Sequence, residues 1–378
     1  MNGRSITLPH HVDPDRYSDR PSRDPILVGV LEGEGIGQEV VPAAVSVLER
    51  VCDLNGLKLE LRHGGPIGRQ SIAAGGKALS PGVKAFCSEI FDGGGAIFSG
   101  PGGARFVYDL RAYFDLYCKL TPLVPFPGLA SGGLFCGGHT DDVDILAIRE
   151  NTGGLYYCEE AHIATNPAEA GIRAAFGYST AMVRRILKAG CLTAQRRRHR
   201  MALTTKPDGI PLVSELWRSE AEGICTQSGV TLEVLEIDNA VYQLVADPKR
   251  FDVIVSPNMF GDVLADAGSL LLGSRGMSFS GNFGDGNRAV YQTGHGAAYD
   301  IAGSGTANPL GQIMAVAMML RESFGQPHAA RSVEQAIATV LEQGARTADI
   351  ASGDTVVVST RVMTTQVLNA LTRQTVPA

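Results

Sequence analysis

The chain has no paired cysteines, no long apolar run and no excess of positive charge, and each absence removes a class of function. Its seven cysteines, at positions 52, 87, 118, 136, 158, 191 and 225, are odd in number, scattered and without a Cys-x-x-Cys pair. That argues against a disulfide framework or a zinc site and predicts reduced, cytoplasmic thiols. No apolar stretch approaches the roughly 18 residues of a membrane span, and the N-terminus lacks the apolar core of a secretory signal. A net charge of −6 argues against a nucleic-acid surface. The basic run Arg196-Arg197-Arg198-His199-Arg200 is short, has no interleaved aromatics and precedes a strand, so it reads as a solvated loop.

What the chain has in plenty is glycine, 46 of 378 residues, in an otherwise ordinary globular composition of 44% hydrophobic and 19% charged residues. Tight turns and close backbone approaches of this kind favour an α/β protein, and the length favours two domains. Residues 1–24 are polar and aperiodic and read as a flexible N-terminal arm, whose His10-His11 pair is more simply a tail than a metal site. Residues 25–31 read as a strand, followed by a glycine turn and a helix from about Glu39 to Cys52. That order invites a dinucleotide fingerprint, but the glycines fall as GxGxG rather than GxGxxG. No acidic residue ends a following strand at the expected distance, and Glu34 and Glu39 would repel a pyrophosphate. A Rossmann reading is rejected.

Chemistry gathers further along. Residues 96–99 form a strand ending in Gly100-Pro101-Gly102-Gly103. A helix is expected next, with Arg105, Tyr108, Arg111 and Asp115 spaced by three to four; two arginines near one face make either an anion site or plain surface charge. Residues 144–150 read as a strand, 151–154 as its turn and 155–158 as a second apolar strand; a basic amphipathic helix is expected over 181–190. Later strands end in Lys206 and Asp238, and the strand 251–255 leads to Asn258. Ligands gather at the carboxyl ends of strands in open α/β sheets, so this recurrence points to a site. In the helix after Asn258, Asp262 and Asp266 are four residues apart and share a face. They make either a cation site or an exposed acidic face; the apolar neighbours Val263, Leu264, Ala265, Ala267 and Leu270 favour a lined pocket.

Four motifs then occur in order: Leu31-Glu32-Gly33-Glu34-Gly35-Ile36-Gly37, Arg149-Glu150-Asn151-Thr152-Gly153-Gly154-Leu155-Tyr156, the run from Asn258 to Asp266, and Gly294-His295-Gly296-Ala297-Ala298-Tyr299-Asp300-Ile301-Ala302-Gly303. With these, the chain from about residue 26 onward resembles the isocitrate/isopropylmalate dehydrogenases, metal-dependent β-decarboxylating dehydrogenases of 2-hydroxy acids. The resemblance implies a three-layer, non-Rossmann α/β fold of two domains. Residues 25–116 with 274–378 would form a large cofactor-binding domain, and 117–273 a small domain for dimerisation and substrate. It also implies a homodimer whose active sites are completed by the partner subunit. Asp262 and Asp266 would bind a metal together with an Asp238 from the partner, and oxygen-only ligands suit Mg²⁺ or Mn²⁺. Lys206, also from the partner, would be the general base for the C2 hydroxyl, which requires a lowered pKa. Tyr156 would be the acid that reprotonates carbon after CO₂ leaves, and Arg111 and Arg149 would hold the malate carboxylates. Asn258, Gln292, His295, Gly296, Asp300, Ile301 and Asn308 would line the cofactor site. The resemblance, with a carboxylate at Asp300 that would accept from ribose hydroxyls and repel a 2′-phosphate, implies NAD.

The chain also departs from that pattern. Lys119-Leu120-Thr121-Pro122 puts Thr121 where relatives carry a third carboxylate-binding arginine. Losing a bidentate guanidinium is not conservative. Arg105 stands at or beside the position that reads the C3 substituent, so Arg105 and Tyr108 imply a polar or anionic one. Gln292 replaces a glutamate and Tyr299 a proline. The expected activity is NAD-dependent oxidative decarboxylation of a 3-substituted malate, such as isocitrate, a homologue or a phosphonate analogue. The alternatives are 3-isopropylmalate, D-malate or tartrate as substrate, or a non-catalytic subunit that pairs with a catalytic relative.

Overall fold

A computed structural model describes residues 25–129, 135, 138–162, 171–353 and 355–374; the arm at 1–24 and its His10-His11 pair lie outside them. The first part of the chain gives β1 (Ile26–Leu31), α1 (Gly37–Leu54), β2 (Leu59–His63), α2 (Gly68–Ala73), α3 (Pro81–Asp92), β3 (Ala96–Ser99) and α4 (Phe106–Phe114). The middle gives β4 (Cys118–Leu123), β5 (Ile145–Glu150), a hairpin of β6 (Glu159–His162) and β7 (Ile172–Ala175), α5 (Thr180–Gln195), β8 (Arg200–Thr205), α6 (Pro211–Ser228), β9 (Thr231–Glu236), α7 (Ile237–Ala246), β10 (Val253–Ser256) and α8 (Asn258–Gly268). The end gives β11 (Phe279–Phe283), β12 (Ala289–Thr293), α9 (Leu310–Glu322), α10 (Pro327–Glu342), the short pair β13 (Ala345–Arg346) and β14 (Val356–Val357), and α11 (Thr360–Gln374).

Ten strands form one sheet in the order β2-β1-β3-β12-β11-β4-β5-β10-β8-β9. The first five come from the two ends of the chain and the last five from its middle. Parallel pairing holds on each flank, while β11 and β4 run antiparallel to each other and to their outer neighbours. Strand alternation shows why both faces need cover. Val28, Val30 and Phe98 join one apolar cluster with α1 and α9, whereas Leu27, Leu31 and Ile97 join another with α3 and α4. The result is three layers, helix–sheet–helix. Helix α9 is buried on every side, in keeping with its largely apolar sequence, and it carries α1 and α10.

Three local expectations are corrected. Residues 155–157 form a single 3-10 turn rather than a strand, entered through Gly154 at φ +73°. Arg105 lies outside α4, in the left-handed region at φ +65°, and Asp115 ends that helix in the same region and pairs with Arg185. The basic run is exposed at Arg196, Arg198, His199 and Arg200, as a solvated loop would be, but Arg197 departs from that reading. The Arg197 side chain is buried and its guanidinium bridges Asp252 at 2.8 Å and Asp144 at 2.8 Å, while Asp252 also accepts the Arg198 backbone N–H.

Candidate active site

The site grows from the end of β10, where the chain turns into α8. Asn258 opens that helix, and its backbone N–H donates to the Tyr178 hydroxyl at 3.0 Å. Asp262 and Asp266 follow one turn apart and both line a cleft of about 900 Å³. Gly261 leaves room for Arg149, arriving from the end of β5: a Cβ at 261 would sit 2.9 Å from Arg149 Cβ and Cγ. The Arg149 guanidinium ion-pairs with Asp262 and donates to Asn258 Oδ1 at 2.9 and 2.7 Å. The Asn258 amide donates in turn to the Gly153 carbonyl. Asn258 is therefore a brace for Arg149 and the 151–154 turn, and it is buried behind the residues that line the cleft rather than among them. Tyr156 on that turn donates its hydroxyl to Asp262 Oδ2 at 2.8 Å. Burial opposes ionisation of Asp262, yet the charges of Arg149 and Lys119 and the Tyr156 hydroxyl hold its carboxyl below the usual range. Burial and the Asp262 hydrogen bond push the Tyr156 phenol up, so it keeps its proton. Asp266 pairs with the exposed Arg275, which the sequence reading did not anticipate.

A basic wall stands beside these carboxylates. Arg111 is 5% exposed, and its Nε has no hydrogen-bond partner. Burial and the neighbouring Arg149 lower its pKa to about 10. Arg105 and Arg111 lie against the Tyr108 ring, 5.3 and 5.8 Å from its centroid, so the two arginines do share a locality although only one is helical. Arg105 reaches the Tyr156 carbonyl at 3.3 Å. Thr121 and Lys119, two residues apart on β4, both line the cleft. Lys119 is 7% exposed; burial and then Arg111 and Arg149 hold its pKa well below the ordinary lysine value. Sequence reading noted Lys119 only as part of a run, although its i, i+2 relation to Thr121 was the signal available.

The other end of the cleft is the loop from His295 to Asn308. His295, Gly296, Asp300, Ile301 and Asn308 line it. Gln292, inside β12, is buried and does not. The glutamates that argued against a pyrophosphate hold this loop in place. Glu39 accepts the backbone N–H groups of Gly303 at 2.6 Å and Gly305 at 2.9 Å. Buried Glu34 accepts those of Gln70 and Gly103 and the Tyr299 hydroxyl, each at 2.7 Å. His295 Nδ1 contacts the Gly296 carbonyl, Nε2 is buried without a partner, and burial lowers the ring's pKa.

Lys206 and Asp238 stand apart from this assembly. Lys206 Nζ pairs with Glu236 at 2.7 Å and Asp238 at 2.9 Å on an exposed surface. Asp238 lies in the first turn of α7 rather than at a strand end. Hydrogen bonds that Lys206 donates to Glu236 and Asp238 raise its pKa, the opposite of what a base needs, and the same contact lowers that of Asp238. Among the described residues no three His, Cys, Asp or Glu side chains gather as a metal site. Asp262 and Asp266 fit a hard divalent cation as two oxygen donors on one helical face, a partial ligand set. The unpartnered His295 Nε2 at the Asp300–Ile301 end fits a polar ligand such as a dinucleotide.

Residues 27–370 match the family model described as isocitrate/isopropylmalate dehydrogenase. The chain is 37% identical over 358 residues to a 3-isopropylmalate dehydrogenase of Desulfitobacterium hafniense, covering 91% of this chain and 99% of that one. It is 38% identical over 365 residues to 3-isopropylmalate dehydrogenase 1 of Bradyrhizobium diazoefficiens, covering 92% and 95%. Its structure is similar to that of the isocitrate dehydrogenase of Methylococcus capsulatus, with a TM-score of 0.82 at 29% identity over 92% of this chain and 99% of that one.

Proposed function

The chain belongs to the isocitrate/isopropylmalate dehydrogenase family, and from that premise we propose that it catalyses NAD-dependent, divalent-metal-dependent oxidative decarboxylation of a 3-substituted malate with a polar or anionic substituent. The observation that carries this reading is Asp262 meeting Arg149 and the Tyr156 hydroxyl in the same cleft as the His295–Asn308 loop. When bound, a cation on Asp262 and Asp266 supplies a Lewis acid and NAD a hydride acceptor. Arg111 and Arg149 orient the malate carboxylates, charge-assisted contacts that fix which C–H faces the cofactor. Lys206 takes the C2 hydroxyl proton. Tyr156, kept protonated by burial and Asp262, returns a proton to carbon after CO₂ leaves.

In one chain Lys206 is a charged surface lysine, so the reading places Lys206 and Asp238 in the site of a partner subunit, within a cytoplasmic homodimer. Engaging Asp238 elsewhere and burying the amine would both lower the Lys206 pKa. The 117–273 segment, which supplies β4, β5, β10, β8 and β9, is the dimerising domain in this proposal; the chain ends form the cofactor domain. Asp300 favours NAD by accepting from ribose hydroxyls.

A second reading, 3-isopropylmalate as substrate, is favoured by the names of the relatives. Purified protein with Mn²⁺ and NAD, offered isocitrate, homoisocitrate, 3-isopropylmalate, D-malate, tartrate and a phosphonomethyl-malate, decides between them by NADH formation. The proposal expects the highest kcat/KM with an anionic substituent and a KM for that substrate that rises more in Arg105→Leu than the KM for 3-isopropylmalate does. Best turnover with 3-isopropylmalate establishes the second reading, and no turnover with any of them overturns both.

A further inference from the structure

The cleft contains a charge arrangement that the protein does not balance by itself. Lys119 on β4 and Arg149 on β5 are directly opposed across an antiparallel pair. Opposed residues place their side chains on one face, and like charges there repel. Arg111 is the third cation of the group, and Arg111 and Arg149 both depress ionisation of Lys119. Among the described residues Arg149 is compensated by Asp262, but neither Arg111 nor Lys119 makes an ion pair or hydrogen bond through its side chain. Lys119 senses the charges of both Asp262 and Asp266 yet pairs with neither, and both carboxylates are engaged by arginines.

Burying a cation without a counter-ion costs stability, so a chain that keeps Lys119 lining the cleft and a buried Arg111 whose charge acts on it keeps them for an anion that arrives from outside. Thr121, one side-chain step along the same face of β4, has a short neutral side chain that leaves the cleft open in front of the lysine. We propose that Lys119 is a specificity-determining residue: its ammonium, with the Arg111 guanidinium, holds a carboxylate of the substrate and so supplies the positive charge that Thr121 does not. The inference rests on the dehydrogenase reading of this cleft. It narrows the substrate class to acids that present a carboxylate to the Lys119 side as well as one to Arg149. An ammonium is a compact charge without the planar fork of a guanidinium, so this clamp tolerates a wider range of carboxylate orientations than an arginine would.

The test uses the full-length protein with Mn²⁺ and NAD. Lys119→Met keeps the length of the side chain and removes the charge. KM for the best substrate of the panel rises roughly 10- to 100-fold, the value of one hydrogen bond to a charged group, while kcat changes less than about threefold. Lys119→Arg recovers most of the lost affinity. The ligand-free Lys119→Met protein melts higher than wild type, by roughly 2–4 °C, which a merely structural lysine would not produce. Equilibrium binding of D-malate in the presence of Mn²⁺ is measured alongside and weakens by the same factor. Wild-type turnover with KM and D-malate affinity unchanged in Lys119→Met overturns the inference and leaves the reaction standing. No turnover, with D-malate binding that still depends on Lys119, overturns the reaction and supports the anion site. Wild-type protein that neither turns over any of the panel nor binds D-malate overturns both.

Discussion

Lys206 and Lys119 are held in opposite ways. Lys206 is half-buried at the surface, sits between Glu236 and Asp238, and is held more strongly protonated than an ordinary lysine. Lys119 is buried beside two arginines, has no carboxylate in contact among the described residues, and is held less strongly protonated than an ordinary lysine. The first cluster is neutralised at little cost on a solvated surface; nothing in it asks for a ligand, and its chemistry depends on being carried into another environment. The second is out of balance where it stands, and that imbalance is binding energy held for an anion. One chain thus carries a surface half-site and a buried half-site.

The largest expected effect lies at the buried half. Asp262→Asn removes a proposed metal ligand, the partner of Arg149 and the acceptor of Tyr156 together, so kcat/KM falls by on the order of 10³ or more and the melting temperature drops because Arg149 loses its counter-charge. Lys206→Met removes the proposed base and costs roughly 10²–10³ in kcat, yet leaves the melting temperature where it was because its ion pairs lie at the surface. Equal stability losses in the two variants would erase the distinction between the half-sites. The smallest effect is in pH. A lysine with a lowered folded-state pKa leaves the unfolded chain binding more protons, so wild-type stability rises with pH up to the ordinary lysine value of 10.5. The melting gap between Lys119→Met and wild type therefore narrows from pH 7 toward pH 10, and a constant gap would contradict the buried charge. Thermal scans across that range check it.

How much of this could be read from residues alone depended on the range of the interaction. Asp262 and Asp266 were legible because a helix repeats every 3.6 residues and the pair belongs to one turn. Lys206 and Asp238 were marked by their places after successive strands, but their roles came only from the resemblance, and Asp238 proved to lie in the first turn of α7. Leu155, Tyr156 and Tyr157 read as a strand because they are apolar and aromatic, but Gly154 at φ +73° turns the chain into a 3-10 turn. Arg105 read as helical from its spacing to Tyr108 and Arg111, while its backbone is left-handed. Arg197 looked solvated because its partner Asp252 is 55 residues away. Lys119 stayed unmarked because its significance comes from Arg149, and the β4–β5 pairing that opposes them is invisible in a single strand. Glu34 and Glu39 were read only for their charge beside a glycine turn, and their service to the Tyr299 and Gly303 loop required contacts more than 260 residues apart in sequence.

The central claim, that the Asp262 half-site of one chain works with the Lys206 half-site of another, has a direct measurement. Inactive Lys206→Met and Asp262→Asn proteins are mixed in equal amounts, dissociated and reassociated, and NADH formation is followed. If the halves combine across the dimer, mixed dimers hold one site with both lesions and one with neither, and specific activity recovers to about a quarter of wild type. If each chain carries a complete site, every site keeps one lesion, and the mixture stays as inactive as its parents.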